Sequence, residues 1–390
     1  MRKILIFALA TLCGTLPLAA QDDTAALIAR IEGPQSPNRQ GFDSLTIEQL
    51  MQRFKVPGVS IAVIKDFKIH WAKAYGVADV ETGRAVDVNT AFQAASISKP
   101  VAAMAALKLA QEGKFSIDAE INSILKSWQV PVSDLNRDQP VTARSLMSHT
   151  SGADDGFGFP GYEPSAPRPT LVQILNGEKP SNVGSVRFAR RPFTGQKYSG
   201  GGIQVMQLAL TDLTGKPFAE LMREKVLEPL GMTNSSYEQP PSDAMSERTS
   251  RAHDGQGKAM GAKWHVYPEQ AAAGLWTTPS DLARFAIDVQ VAYRWGRGKV
   301  LSQATAREMI APTGVGPFAV GFSVDKRGEG WYFSHSGGNW GFLCDLLAHV
   351  RKGYGVAVMT NGSNFQIITE IEARVAAAYG WDTLDKPIPR

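Results

Sequence analysis

Phe92-Gln93-Ala94-Ala95-Ser96-Ile97-Ser98-Lys99-Pro100 decides how the chain is read. Ser96 and Lys99 stand three residues apart, and an alanine-rich, helix-like run follows from Val101 to Ala110. A helix beginning near Ser96 puts the hydroxyl and the amine on one face. It also sets the serine at a helix N-terminus, where unpaired backbone N–H groups favour negative charge. An attacking serine needs a base for its proton and donors for the oxyanion. Lysine serves as that base only when burial or nearby positive charge lowers its pKa. Ser-x-x-Lys is a known catalytic pattern. It is also short, and a serine opening a helix is most often a cap. The surrounding chain has to decide between the two.

Outward from this stretch, the upstream segment reads as antiparallel strands. Leu45, Leu50, Met51 and Phe54 give a short amphipathic helix. Val59 to Ile64 and Ile69 to Tyr75 are β-prone, with Asp66-Phe67-Lys68 as the turn between them. Downstream come helical stretches at 141–152, Ile203 to Leu213 and Phe218 to about Glu228, and a well-capped start at Thr278-Pro279-Ser280-Asp281. A Gly/Pro-rich loop runs from Ala153 to Pro169. Strand patterns return at Phe318–Val324, Trp331–Ser334, Phe342–Val350 and Tyr354–Thr360, and Ile367 to Tyr379 is an amphipathic helix. Strands at both ends and helices between them predict an α/β (α+β) fold. Its central antiparallel sheet is built from both termini and flanked by helices, with a mostly helical insertion. The expected domain is 45–380, its α/β part 45–94 and 286–380 and its helical part 95–285. Residues 21–44 read as an exposed lead-in and 381–390 as a tail.

The 390 residues suffice for a sizeable core. A formal net charge of +4 gives no support to nucleic-acid binding. Arg2 and Lys3, the apolar run Ile4 to Leu12 and the small pair Ala19-Ala20 read as a signal peptide over residues 1–20, and the run is too short for a membrane span. Its removal lowers the formal charge from +4 to +2 and takes away Cys13, leaving Cys344 as the single cysteine. The expectation is a periplasmic or secreted protein without an internal disulfide or a membrane span. Cys344 lies in a mostly apolar run and reads as core.

Three segments stand in order: Ser96-x-x-Lys99, Tyr198-Ser199-Gly200 and His335-Ser336-Gly337-Gly338. With Leu146-Met147-Ser148-His149-Thr150-Ser151-Gly152, Pro229-Leu230-Gly231-Met232 and Ala273 to Leu282, the chain resembles the penicillin-recognising serine hydrolases over roughly residues 40–380. Its nearest branch there is the group around class C β-lactamases, D-Ala-D-Ala peptidases, D-aminopeptidases and related carboxylesterases. The resemblance implies that Ser96 is the acylated nucleophile, Lys99 its partner amine and Tyr198 the phenol that relays the proton. It places His335, Ser336 and Gly337 on the strand lining the site, where many relatives have Lys-Thr-Gly. It assigns the oxyanion hole to the backbone N–H groups of Ser96 and Gly338. Histidine in place of lysine makes that charge pH-dependent, so activity is expected to change between about pH 5 and 8. Relatives with β-lactamase activity usually carry Tyr-x-Asn; here Gly200 stands in the third place.

Gly200, Ser336, Gly337 and Trp340 are the expected substrate-binding residues. His149 reads as structural, near a helix end. His253, His265 and Asp254 lack metal-ligand spacing, and no metal or cofactor is expected. Trp276 is a further candidate for the cleft wall, and Tyr162 for a cover over it. The leading expectation is an exported acyl-serine hydrolase acting on small esters or amides, among them D-amino-acid peptides. The alternatives are a class C-like β-lactamase and a penicillin-binding module that acylates and stalls. The oligomeric state is open.

Overall fold

The computed structural model describes residues 24–35, 41–155, 158–328 and 330–381. The leader expected over 1–20 and the tail beyond Trp381 lie outside them. The strands that matter are β1 (Gly58–Lys65), β2 (Lys68–Asp79), β3 (Arg84–Ala85), β4 (Phe92–Gln93), β5 (Trp276–Thr277), β6 (Ser323–Arg327), β7 (Gly330–Asn339), β8 (Phe342–His349) and β9 (Gly355–Thr360). The helices that place the site are α1 (Thr24–Glu32), α2 (Ile47–Phe54), α3 (Ser98–Gln111), α4 (Ala143–Met147), α5 (Gly200–Thr214), α6 (Gln270–Ala273), α7 (Pro279–Trp295) and α8 (Gln366–Tyr379).

Seven strands form one antiparallel sheet in the order β3-β2-β1-β9-β8-β7-β6. β1 pairs with β9, so the two ends of the chain meet in mid-sheet. Both faces of β1 are buried, which is why it reads as a continuous apolar run rather than an alternating one. Val59, Ile61 and Val63 join Leu347, Val356 and Val358 under α1, α2 and α8. Ala62 and Ile64 face a larger core shared with the helical part. α7 packs across β1, β2 and β9. It runs as one helix through residue 285, so it spans the expected junction between the α/β and helical parts. Each large apolar side chain buried this way contributes about 1.5–3 kcal/mol.

Three expectations change. The described residues of the segment 21–44 are not a free lead-in: α1 packs on α8, with Ile31 and Asp43 fully buried. The clasp is Arg374 of α8, which has no exposed surface. It donates to Glu370 Oε1 at 2.9 Å and to the carbonyls of Ile31, Gly33, Phe42 and Leu45. The strand foreseen at Phe318–Val324 begins only at Ser323. Phe318 sits in the loop before it, at the site. The helix foreseen over 141–152 is a short one, α4, capped by Thr142 and followed by turns. Among the described residues, no helix is long and apolar enough to cross a membrane.

Candidate active site

Ser96 sits in a 3₁₀ turn, Ala95–Ile97, that runs directly into α3. The turn is pinned on both sides. Ala94 N–H donates to Leu275 O at 2.8 Å, Leu275 N–H to Ser98 Oγ at 3.0 Å, and the Tyr237 hydroxyl to Ser98 O at 2.7 Å. Ala95 carries φ +47°, a strained backbone for a residue with a Cβ. The contacts on both sides hold this strained turn, and with it Ser96, against β7. Gly337 makes this approach possible: a Cβ there would stand 2.3 Å from Ala94 O and 2.6 Å from Cys344 Sγ. Cys344 is buried and in no disulfide, as expected of a core thiol.

Lys99, the second residue of α3 and three residues past Ser96, is 1% exposed. Its ammonium donates to Ser96 Oγ at 2.9 Å and to Ala272 O of α6 at 2.8 Å. Burial pulls its pKa down from 10.5 to about 7, with Asp155 opposing. The amine therefore stands near its midpoint at neutral pH, as a proton acceptor for serine requires. Tyr198 shares a hydrogen bond with the Ser96 hydroxyl, and its ring lies 5.0 Å from Lys99 Nζ. Burial raises the phenol's pKa, the Ser96 bond opposing only partly, so the phenol stays neutral.

His149 proves to be the residue that sets Tyr198. Its carbonyl accepts Lys197 N–H at 2.9 Å and its Nδ1 accepts Ser199 N–H at 3.2 Å, bracketing the tyrosine from both sides in sequence. The two rings lie 4.3 Å apart. With Nδ1 accepting, the proton resides on Nε2. Burial, then Lys99 and His335, hold this imidazole neutral. Behind Tyr198, Ser199 caps α5 by accepting Gly202 N–H at 2.8 Å. Asp155 accepts Gly201 N–H at 2.6 Å and the Ser199 hydroxyl. A Cβ at Gly201 would lie 2.4 Å from Val186 Cγ2 and 2.8 Å from Asp155 Cγ, so glycine is needed there.

β6 pairs with β7 only as far as Ser334, which leaves residues 335–339 as a free sheet edge beside Ser96. A cleft of about 570 Å³ opens along it, lined by Ser96, Tyr198, His335, Ser336, Gly337 and Gly338, with Phe318 as a wall. The three motifs, 239 residues apart at their extremes from Ser96 to His335, thus converge on one cavity. His335 is 5% exposed, its ring 6.1 Å from that of Tyr198. Burial lowers its pKa to about 3, Lys99 adding to the effect and the Ser336 carbonyl opposing it. The expectation that His335 brings a charge titrating between pH 5 and 8 is therefore corrected. Of these two groups beside Ser96, Lys99 is the one whose pKa falls in that range.

Two expected cleft residues lie elsewhere. Gly200 is absent from the wall because Phe159 fills the space beside it: a Cβ at Gly200 would meet Phe159 Cε2 at 2.8 Å. Trp340 turns away and stacks on His265, ring centroids 3.9 Å apart and planes 6° from parallel. Trp276 is core, edge-on to Trp264 and Phe342. Tyr162 is buried against Val266 rather than over the cleft. His253 Nδ1–H donates to Asn361 O at 2.9 Å, as a satisfied core histidine. Asp345, Thr369 and Glu372, on the far wall, went unnoticed in the sequence because no motif contains them.

A family model described as "Beta-lactamase" matches residues 44–379. The chain is 23% identical over 339 residues to "Protein flp" of Staphylococcus aureus (strain MRSA252), covering 83% of this chain and 63% of that protein. It thus spans under two thirds of the length of that relative. It is 26% identical over 341 residues to "Penicillin-binding protein 4" of Amycolatopsis lactamdurans, covering 83% and 84%. To "Esterase EstB" of Burkholderia gladioli it is 26% identical over 230 residues, covering 57% and 54%. Among solved structures, the octameric penicillin-binding protein homologue from Pyrococcus abyssi superposes with a TM-score of 0.69 at 22% identity, covering 88% of this chain and 78% of that one. The D-amino acid amidase from Ochrobactrum anthropi SV3 superposes with a TM-score of 0.68 at 21% identity, covering 91% and 99%. At these identities the superpositions speak for the fold.

Proposed function

The chain belongs to the beta-lactamase family of serine hydrolases, and within it we propose an exported enzyme that cleaves small esters or amides through an acyl-enzyme on Ser96. The observation that carries this is the buried Lys99 amine, 2.9 Å from Ser96 Oγ, with its pKa lowered to about 7. Ser96 Oγ attacks the acyl carbon and its proton passes to the neutral amine. The tetrahedral oxyanion is held by the N–H groups of Ser96 and Gly338. Tyr198, kept neutral by burial, hands a proton to the leaving group and is resupplied from Lys99. Water then attacks the acyl-enzyme by the reverse path. His335 acts as a neutral, desolvated wall of the cleft. An amide substrate lies along the free edge of β7, whose backbone offers strand-type hydrogen bonds. Ser336 and Gly337 line that path. Phe159 beside Gly200 argues against a β-lactam's acylamido arm there and in favour of simpler acyl groups. Export rests on the positively charged, apolar start of the sequence.

Turnover of p-nitrophenyl butyrate by the wild-type protein and by Ser96→Ala tests the reading. Loss of turnover in the variant, with an acyl adduct on Ser96 in the wild type by intact mass, is the expected result. Equal turnover in both removes Ser96 from the chemistry. An adduct that persists for hours favours a stalled binding module.

A further inference from the structure

The cleft does not end at Ser96. It continues past the free edge of β7 to the sheet face covered by α8, where Asp345 of β8 and Glu372 of α8 line it. Asp345 pairs directly across the sheet with Ser336, so both side chains rise on the same face. Glu372 is 2% exposed and shares a hydrogen bond with Asp345. Its Oε1 is buried without a hydrogen-bond partner, although the residue lines an open cleft. A buried carboxyl oxygen without a partner is costly unless something else completes it.

The charges around the pair do not complete it. Arg327 of β6 is the cation at this end of the cleft, and its Nε donates to Asp325 Oδ2 at 2.7 Å. Three carboxyls, on Asp325, Asp345 and Glu372, thus share one guanidinium. The remaining wall here carries the hydroxyls of Ser323, Ser334, Ser336 and Thr369, with the ring of Phe365 beside them. This end is polar and carries an excess of acid.

Resting on the acyl-serine hydrolase reading, we propose that Asp345 and Glu372 form a cation-accepting subsite of the active-site cleft, which selects substrates bearing an ammonium group over neutral or carboxylate-bearing ones. Two adjoining carboxyls cannot both ionise cheaply. Burial raises both pKa values, that of Glu372 furthest, so the empty pair keeps a proton on Glu372 that bonds Asp345. An ammonium group entering the subsite takes the place of that proton, donates to Glu372 Oε1 and Asp345, and sends the proton to solvent.

The test uses isosteric esters. p-Nitrophenyl ε-aminocaproate is compared with p-nitrophenyl heptanoate, which carries a methyl for the ammonium on the acyl side. ω-Aminohexyl butyrate is compared with heptyl butyrate, for the leaving side. One pair is expected to show kcat/KM roughly tenfold or more in favour of the cation, the scale of one charge-assisted hydrogen bond. That ratio is expected to collapse towards one in Asp345→Asn and in Glu372→Gln. Thr369→Lys, which puts a cation into the same end, abolishes it equally and stands in if the carboxyl variants do not fold. A ratio near one on both pairs in the wild type, or one unmoved by all three substitutions, overturns the subsite. So does faster turnover of the carboxylate-tailed monoester of pimelic acid, which would assign this end to the unpartnered Nη1 of Arg327. Calorimetric titration of the Ser96→Ala protein with the cationic and neutral esters reads the same preference without turnover. The subsite therefore stands or falls separately from the chemistry at Ser96.

Discussion

Replacing Lys99 by methionine is expected to stabilise the protein at acid pH and to lose that advantage at alkaline pH. Lys99 titrates near 7 in the folded chain and near 10.5 in the unfolded one. Below pH 7 both states carry the ammonium, and the folded state bears the whole cost of burying it. That cost is about 5 kcal/mol for a displacement of this size. Hydrogen bonds from the ammonium to Ser96 Oγ and Ala272 O return roughly 1.5–3 kcal/mol. Methionine matches the shape, keeps neither bond and carries no charge. At pH 6 the Lys99→Met protein is therefore expected to be the more stable by about 2–3.5 kcal/mol. Between pH 7 and 10.5 the unfolded wild-type chain holds a proton that the folded chain has released. Wild-type stability then rises with pH, by about 1.4 kcal/mol per unit. By pH 9 the difference between the two proteins has moved by about 3 kcal/mol in favour of the wild type. Urea unfolding of both proteins at pH 6 and pH 9 measures this directly, because other titrating groups contribute nearly equally to each and cancel. A difference that stays constant across the two pH values, or moves the other way, refutes a lysine held near neutrality by burial.

The same group sets the catalytic profile: kcat/KM for a small ester is expected to rise with pH through about 7, as the Lys99 amine loses its proton. His335→Gln is expected to leave that inflection in place whatever it does to the rate; its disappearance would return the titration to the histidine. Gly337→Ala drives a Cβ into Ala94 O and is expected to displace the Ser96 turn, costing about 1–3 kcal/mol in urea melts and nearly all ester turnover. Gly200→Asn must push Phe159 aside. It is expected to change the preference among acyl groups more than the acylation rate with p-nitrophenyl butyrate, and equal effects on both refute that assignment. Arg374→Met removes the donor to Glu370 Oε1 and to four backbone carbonyls of the 31–45 segment, and is expected to cost about 3–5 kcal/mol, seen as early proteolysis near residue 33.

The parts of this molecule that sequence reveals are those where chemistry or geometry fixes spacing along the chain. Ser96 and Lys99 are readable because one helical turn brings a hydroxyl and an amine together. The buried strands are readable because a strand covered on both faces is apolar throughout, as β1 and β9 are. What escapes is whatever depends on a partner from far along the chain. The lead-in reads as a polar, proline-bearing stretch. Only Arg374, more than three hundred residues later, shows that its carbonyls are spoken for. His149 reads as a helix-end histidine, and its hold on Tyr198 exists only once residues 197–199 fold back onto it. The third motif makes the same point about charge. Its histidine invites a pH switch at the usual imidazole pKa, but that value belongs to a ring in water. Packed behind Phe318, Tyr198 and the Lys99 amine, the ring has nowhere to put a proton. The burial that silences His335 is the burial that brings Lys99 to neutrality, since desolvation disfavours the charged form of both. Two adjacent cations in such a cavity would repel each other, and the lysine, bonded to Ser96 and Ala272, is the one our proposed mechanism uses as proton acceptor. A neutral side chain at 335 therefore leaves Lys99 as the one of these two groups that titrates near neutrality, beside the Ser96 hydroxyl.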